Sequence, residues 1–224
     1  MIQVNSMKVI AIIPTLNEEQ GVADVINGFK QEGVKQIIVA DGGSTDRTRQ
    51  IAAKNGAKVL KVPRGKGNGF RATLHQIKIQ NDSIYVMIDG DASYQSGEVK
   101  KLLKDIQKFD VVTGKRQLLI HDLKSTVHVI GNFFVSMLGS LVYLHWNPDI
   151  CTGYWAFRGS ALKKLKKALT AERFELEVDL FSNTAKLGLH HKTVPVSYLK
   201  RKGESKLHTR DVFFILKKLV ANRF

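Results

Sequence analysis

Short runs of apolar, mostly β-branched residues recur through the first half of the chain, at 8–13, 36–40, 58–62 and 84–88. The stretches between them have helical spacing instead. Val22, Val25, Ile26 and Phe29 form one such stripe, which Gly33 ends, and Thr48, Ile51 and Ala52 form a second, with Thr45 or Asp46 as its N-cap. A third helix is expected from about Phe70 to Ile79. Strands that alternate with helices of this length build a mostly parallel sheet, because each parallel neighbour needs a crossover, and the crossovers cover both faces. The fold class is therefore α/β. In such sheets ligands sit beyond the carboxyl ends of the strands.

Three polar segments fall at that edge. PTLNEE (14–19) follows the first run, where Pro14 should end the strand; DGGSTD (41–46) follows the second; Asp89-Gly90-Asp91 follows the fourth. Residues i and i+2 of an extended segment point the same way, so Asp89 and Asp91 converge. Gly90 lets a ligand approach the backbone. Hard carboxylate oxygens suit Mg2+ or Mn2+, ions that complete their shell with substrate phosphates. The competing reading is a solvated Asp-Gly turn. For Asp41 a turn acid competes with a hydrogen-bonding partner for a nucleotide base or ribose. The GKGNG segment (65–69) lacks the spacing of a P-loop, so Lys66 either decorates a plain turn or reaches a phosphate.

At 224 residues, 43% hydrophobic and 25% charged, the chain suits one domain over 1–224. Its mean hydropathy of -0.13 is too polar for a multi-span membrane protein. Thirty-five Lys plus Arg against twenty Asp plus Glu give a net charge of +15, which calls for a polyanionic partner. Nucleic acid is set aside for want of zinc spacing, an aromatic RNP-like strand or a base-reading basic helix. Cys151 is the only cysteine, which excludes an intrachain disulfide and fits a reducing cytoplasm. The N-terminus has no basic region followed by a long apolar one, so no secretory signal is expected.

Taken together, PTLNEE, DGGSTDRT (41–48), GKGNG and DGD, in this order and spacing, resemble the inverting family 2 glycosyltransferases of GT-A fold. In the second half, Asp149 to Arg158 (DICTGYWAFR), FELEVDL (174–180) and VPVSYLKRKGESKL (194–207) are similar to blocks of the polyprenyl-phosphate sugar transferases, the dolichyl-phosphate mannose synthase type and its archaeal hexose and N-acetylglucosamine relatives. The resemblance spans about residues 8–207. It implies that Pro14, Leu16, Asn17, Glu18 and Asp41, with Lys66, Asp89 and Gly90, bind the nucleotide-sugar donor, and that Asp89 and Asp91 hold Mg2+ or Mn2+ on its diphosphate. Arg116, Arg201, Lys124, His128 and Lys206 would hold the acceptor phosphate, with Asp149 and Glu177 orienting the sugar or those arginines. Asp91, Arg116, Arg201, Asp149 and Glu177 form the expected catalytic set. The chain departs from the mannose enzymes at Gly42, where many carry a second Asp, and at Ser93, where many carry Gln. Together with CTGYW this favours UDP-N-acetylglucosamine or UDP-glucose over GDP-mannose.

Residues 127–144 form an almost wholly apolar run interrupted by Gly131, Gly139, Asn132 and serines. Its length is enough for a span, but a span here would divide the site between two sides of the membrane. One or two short interfacial helices within about 120–145, and an amphipathic helix at 210–224, are the expectation, with a buried core helix as the competing reading. Lysines and arginines around these segments would hold the protein to an anionic surface, peripherally, on the cytoplasmic face. Two other enzymes remain open: a family 2 transferase with a saccharide acceptor, and a sugar-nucleotide nucleotidylyltransferase, although the latter would want a glycine-rich basic loop where Pro14 to Glu18 stand.

Overall fold

The computed structural model describes residues 7–117, 123–204 and 209–223, with side chains described at all of these except 123–130 and 209–212. Seven strands form one sheet in the order β3-β2-β1-β4-β6-β5-β7. The strands are β1 (Lys8–Thr15), β2 (Gln36–Asp41), β3 (Lys58–Lys61), β4 (Ser83–Met87), β5 (Val111–Gln117), β6 (Trp155–Arg158) and β7 (His191–Ser197). All neighbours are parallel except β6, which runs antiparallel to both β4 and β5. The sheet is thus mostly parallel, as the strand–helix alternation requires.

Alternate residues along the strands feed two cores. Ile10, Ile12, Tyr85, Met87, Trp155 and Phe157 face one side, packed by α3 (Lys66–Gln76), α6 (Gly159–Ala168) and α7 (Leu176–Lys186). Ala11, Ile13, Ile84, Val86 and Ala156 face the other, packed by α1 (Val22–Gln31), α2 (Thr48–Lys54) and α4 (Val99–Asp105). The expected stripe of α1, Val22, Val25, Ile26 and Phe29, is buried, and Gly33 closes that helix at φ +76°.

Two local expectations need correction. Pro14 does not end β1: it pairs with Ala40 of β2. On the β4 side, Ile12 O accepts from Ile88 N at 3.2 Å, and Pro14, two residues on, faces that same side beyond the end of β4, where no N–H is needed. The third helix starts at Lys66, not Phe70. Glycines inside it looked like a turn, but they permit close packing: a Cβ on Gly67 would lie 2.5 Å from the Ala171 carbonyl carbon. Gly67 N and Asn68 N donate to Arg173 O and Glu172 O, so the first turn is capped by a neighbouring chain segment.

The apolar run is one continuous helix, α5 (Leu123–Tyr143), and not two short ones; the last helix is α8 (Thr209–Ala221). Among the described residues no helix is long and apolar enough to cross a membrane. The helix is neither wholly core nor wholly exposed: it has one buried and one exposed face. Val135, Ser136, Gly139, Ser140 and Tyr143 are buried, whereas Phe133, Phe134, Met137 and Leu141 are exposed. Gly139 lets the helix close on Ile150, Leu219 and Phe181, and Tyr143 Oη donates to Leu219 O at 2.9 Å. In α8, Ile215 and Leu219 are buried, while Phe213, Phe214, Leu216 and Val220 are exposed.

Candidate active site

The polar segments at the carboxyl edge are fastened to one another by side chains. Asn17, at φ +53°, accepts from Thr45 N at 2.8 Å, and its own N–H donates to Ser44 Oγ at 2.9 Å. Glu18 N donates to Thr48 Oγ1, and Glu19 N to Asp46 Oδ2. Asp46 Oδ1 also accepts from Thr48 N, the first residue of the helix, whose N-cap position is Arg47 and not Thr45 or Asp46. Asp41 is buried and receives Gly43 N and Ser44 N, with Arg49 Nε 3.8 Å away. Its carboxylate therefore shapes its own loop, the turn-acid reading. Pro14 and Leu16 lie half-buried in the same region. Beside Asn17, Glu18 and Asp46 a cavity of about 350 Å³ opens, closed across by Lys202, Gly203 and Glu204.

Asp89 and Asp91 stand at the end of β4 as expected, and each meets a cation from elsewhere. Lys66 bridges Asp89, at 2.5 Å, and Glu177 of α7. Burial alone pushes the lysine ammonium down; Asp89 and then Glu177 overcome this and hold it above its ordinary range. Burial raises the Glu177 carboxyl, against the pull of Lys66. Glu177 thus holds a lysine where an arginine or the sugar was expected, and Lys66 contacts carboxylates. A Cβ at Gly153 would overlap the Asp89 carboxylate, which explains a glycine in CTGYW.

Asp91 is buried; Oδ1 accepts from Ser93 N at 2.9 Å and Ser93 Oγ at 2.6 Å, and Oδ2 lies 3.2 Å from Arg201 Nη2. The same guanidinium lies 3.6 Å from Glu18 Oε1. The segment after β7 is strapped over the site by main-chain bonds, Leu199 N to Ser93 O and Lys202 N to Asp91 O, and by Lys202 Nζ to Asp24 at 2.5 Å. The donor set offered to a divalent cation is two hard carboxylates, which fits an ion completed by phosphate oxygens. Among the described residues no third acid, histidine or cysteine joins them, and Ser93 spends its hydroxyl on Asp91.

Arg116, at the end of β5, is gripped by Asp149: Nε to Oδ2 is 2.9 Å, Nη2 to Oδ1 2.7 Å, and the backbone N also donates to Oδ2. Its guanidinium sits over the Tyr198 ring, 5.3 Å from the centroid. Burial opposes its charge, but Tyr94 and Asp149 outweigh this and raise its pKa well above the ordinary value. Such a planar fork, held rigid, is suited to phosphate. Lys124, His128 and Lys206 have side chains outside the described residues.

Several contributors escaped the sequence reading. Tyr94 accepts from Gly153 N at 2.7 Å and packs edge-on against Tyr198, joining the DGD loop to CTGYW and the strap. Asn132 donates to Asp149 Oδ1 at 3.0 Å. Its signal was available: polar residues at four-residue spacing in an apolar run. His191 is stacked between His145 and Trp155 and bonded to Thr113 Oγ1 at 2.9 Å.

A mostly parallel sheet in this order, with two aspartates just past the end of its central strand and a cavity beside the loops after its first two strands, has the layout of a GT-A fold. The chain belongs to glycosyl transferase family 2, whose model matches residues 10–166. It is 32% identical over 193 residues to glycosyltransferase AglJ of Haloferax volcanii, covering 85% of this chain and 62% of that one, so it spans less than two thirds of that relative. It is 29% identical over 200 residues to a dolichyl-phosphate hexose transferase of the same organism, covering 88% and 85%. Among solved structures, glucosyl-3-phosphoglycerate synthase from Mycobacterium tuberculosis, in complex with Mn2+, UDP and glucosyl-3-phosphoglycerate, superposes with a TM-score of 0.76 at 21% identity, covering 97% of this chain and 80% of that one. That likeness establishes the fold.

Proposed function

We propose that this glycosyltransferase moves a sugar from a UDP-sugar, UDP-N-acetylglucosamine or UDP-glucose ahead of GDP-mannose, onto a polyprenyl or dolichyl phosphate, with inversion, at the cytoplasmic face of a membrane. The observation that carries the reading is Arg116: a half-buried guanidinium at the end of β5, fixed bidentately by Asp149, which Asn132 of α5 also holds, and the outer face of α5 is apolar and exposed. A cation fixed for phosphate beside a face fit for lipid matches an acceptor that is both. The relative named for dolichyl-phosphate hexose transfer supports the same acceptor class.

A phosphate monoester has a second pKa of about 6, so its oxygen is a nucleophile at neutral pH and no general base is required. The difficulty is bringing one anion to another. Arg116 would hold the acceptor phosphate, and Arg201, which reaches Asp91, would screen the two anions from one another. Asp89 and Asp91 would hold Mg2+ or Mn2+, whose chemistry there is to neutralise charge on the departing diphosphate. Asn17, Glu18 and the Asp41 loop wall the donor cavity, and Glu177 keeps Lys66 against Asp89 so that the carboxylate stays oriented.

Attachment to the surface is assigned to Phe133, Phe134, Met137 and Leu141 of α5 and to Phe213, Phe214 and Val220 of α8, with the excess of lysine and arginine supplying attraction to anionic headgroups. Incubation with radiolabelled UDP- and GDP-sugars, Mn2+ and polyprenyl phosphate, followed by organic extraction, tests the reading. Label in the lipid phase with a UDP-sugar is expected; label only in water-soluble saccharide would replace it with a sugar acceptor.

A further inference from the structure

The inner face of α5 carries polar residues beside Val135 and Tyr143 of the core, whereas the exposed face is apolar. Asn132, Ser136 and Ser140 recur at four-residue spacing, one above another on a helix, and all three grip a single loop. Asn132 Nδ2 donates to Asp149 Oδ1 at 3.0 Å, Ser136 Oγ accepts from Ile150 N at 3.0 Å, and Ser140 Oγ accepts from Asn147 N at 3.0 Å. Asn147 Oδ1 then accepts from Asp149 N at 2.9 Å. Asp149 is almost fully buried and spends both oxygens on Arg116.

A helix that only filled the core would place apolar residues on this face. Here the outer residues Phe133, Phe134 and Met137 stay exposed while hydroxyls and an amide turn inward. Each inward group satisfies the backbone or carboxylate of the loop that aims Arg116, and among the described residues none of the three is hydrogen-bonded to Arg116 itself.

We infer that Asn132, Ser136 and Ser140 are positioning residues: they form a ladder by which α5 fixes Asp149 and, through it, the guanidinium of Arg116. Orientation of the phosphate-binding cation is thereby tied to the helix that carries the apolar outer face. The kinetic half of this inference rests on the acceptor reading above; the structural half does not.

Two readouts separate these halves, in Asn132→Leu, which keeps the number and branching of the heavy atoms, and in the milder Ser136→Ala. In NMR hydrogen exchange, Arg116 Nε–H is protected in the native chain through its bond to Asp149, and exchange accelerates in both variants by about fivefold or more, as expected when one supporting hydrogen bond is lost. In steady-state kinetics with polyprenyl phosphate, the acceptor KM rises by about fivefold while the donor KM is unchanged, and Asn132→Leu adds nothing further in an Arg116→Lys background, because the two act as one unit. Unaltered protection in both variants overturns the ladder, as does an effect of Asn132→Leu that persists in full in the Arg116→Lys background. A native chain that labels no lipid contradicts the acceptor reading instead, and the exchange measurement still decides the ladder.

Discussion

Arg201 Nη2 lies 3.2 Å from Asp91 Oδ2, so one cation expected to meet the acceptor phosphate rests on a carboxylate expected to hold a divalent metal. A guanidinium and a divalent ion compete for the same oxygen. Arg201→Met is therefore expected to tighten Mn2+ binding in the absence of nucleotide, by about tenfold for a charge pair worth about 1.4 kcal/mol, read by electron paramagnetic resonance, while slowing transfer. Asp91→Asn is expected to lower transfer by about 10²-fold or more, on the scale of losing one electrostatic stabiliser. Mn2+ affinity unchanged in Arg201→Met removes the competition.

Lys66 joins Asp89 to Glu177 in a buried triad. Lys66→Met leaves two carboxylates facing one another without a cation, and a loss of about 3–5 kcal/mol is expected in chemical denaturation. Adding Glu177→Gln should recover part of it. Equal stability of the single and double variants would show that Lys66 serves the substrate and not the fold.

Phe133 and Phe134 are exposed at 58% and 57%. Changing both to Ser is expected to weaken binding to anionic vesicles, with Tm held within a few degrees because little packing is lost. Removing α8 altogether is a poorer test, since Ile215 and Leu219 belong to the core and Asn222 donates to Asp179 and Ser182. Vesicle binding unaffected by the double substitution would return the stripe to ordinary surface.

Burial, with His145 beside it, pushes the His191 imidazole down to about 3. An unfolded histidine titrates near 6.5. Between these values the unfolded chain holds a proton that the folded one excludes, so this group's stabilising contribution is complete above about pH 6.5 and is lost as pH falls, by up to about 1.4 kcal/mol per unit. His191→Asn should flatten the stability profile between pH 6 and 4 relative to the native chain. Parallel profiles would contradict the burial of the ring.

The alternation of apolar runs and helical stripes made the mostly parallel sheet legible, and an apolar run ending in DGD placed both carboxylates beyond the end of β4, although Asp89 to Asp91 form a turn after the strand, so the shared-face rule for strands does not describe them. Asp149 as a partner of Arg116 was within the range expected of it. What stayed hidden depends on long-range approach. Gly67 reads as a turn former until the chain at Ala171 presses against it. Pro14 reads as a strand terminator until β4 is seen to stop short. One partner of Lys66, Glu177, comes from α7, more than a hundred residues away, and no local spacing signals it.

The central claim is that a phosphate monoester on a lipid becomes a phosphodiester to a sugar. In 31P NMR of polyprenyl phosphate vesicles with UDP-N-acetylglucosamine or UDP-glucose and Mn2+ removed by chelator before acquisition, the monoester resonance should give way to a diester resonance as UDP appears in equal amount, and Asp91→Asn should leave the monoester intact. UDP release with the monoester resonance unchanged, for every nucleotide sugar supplied, would contradict it.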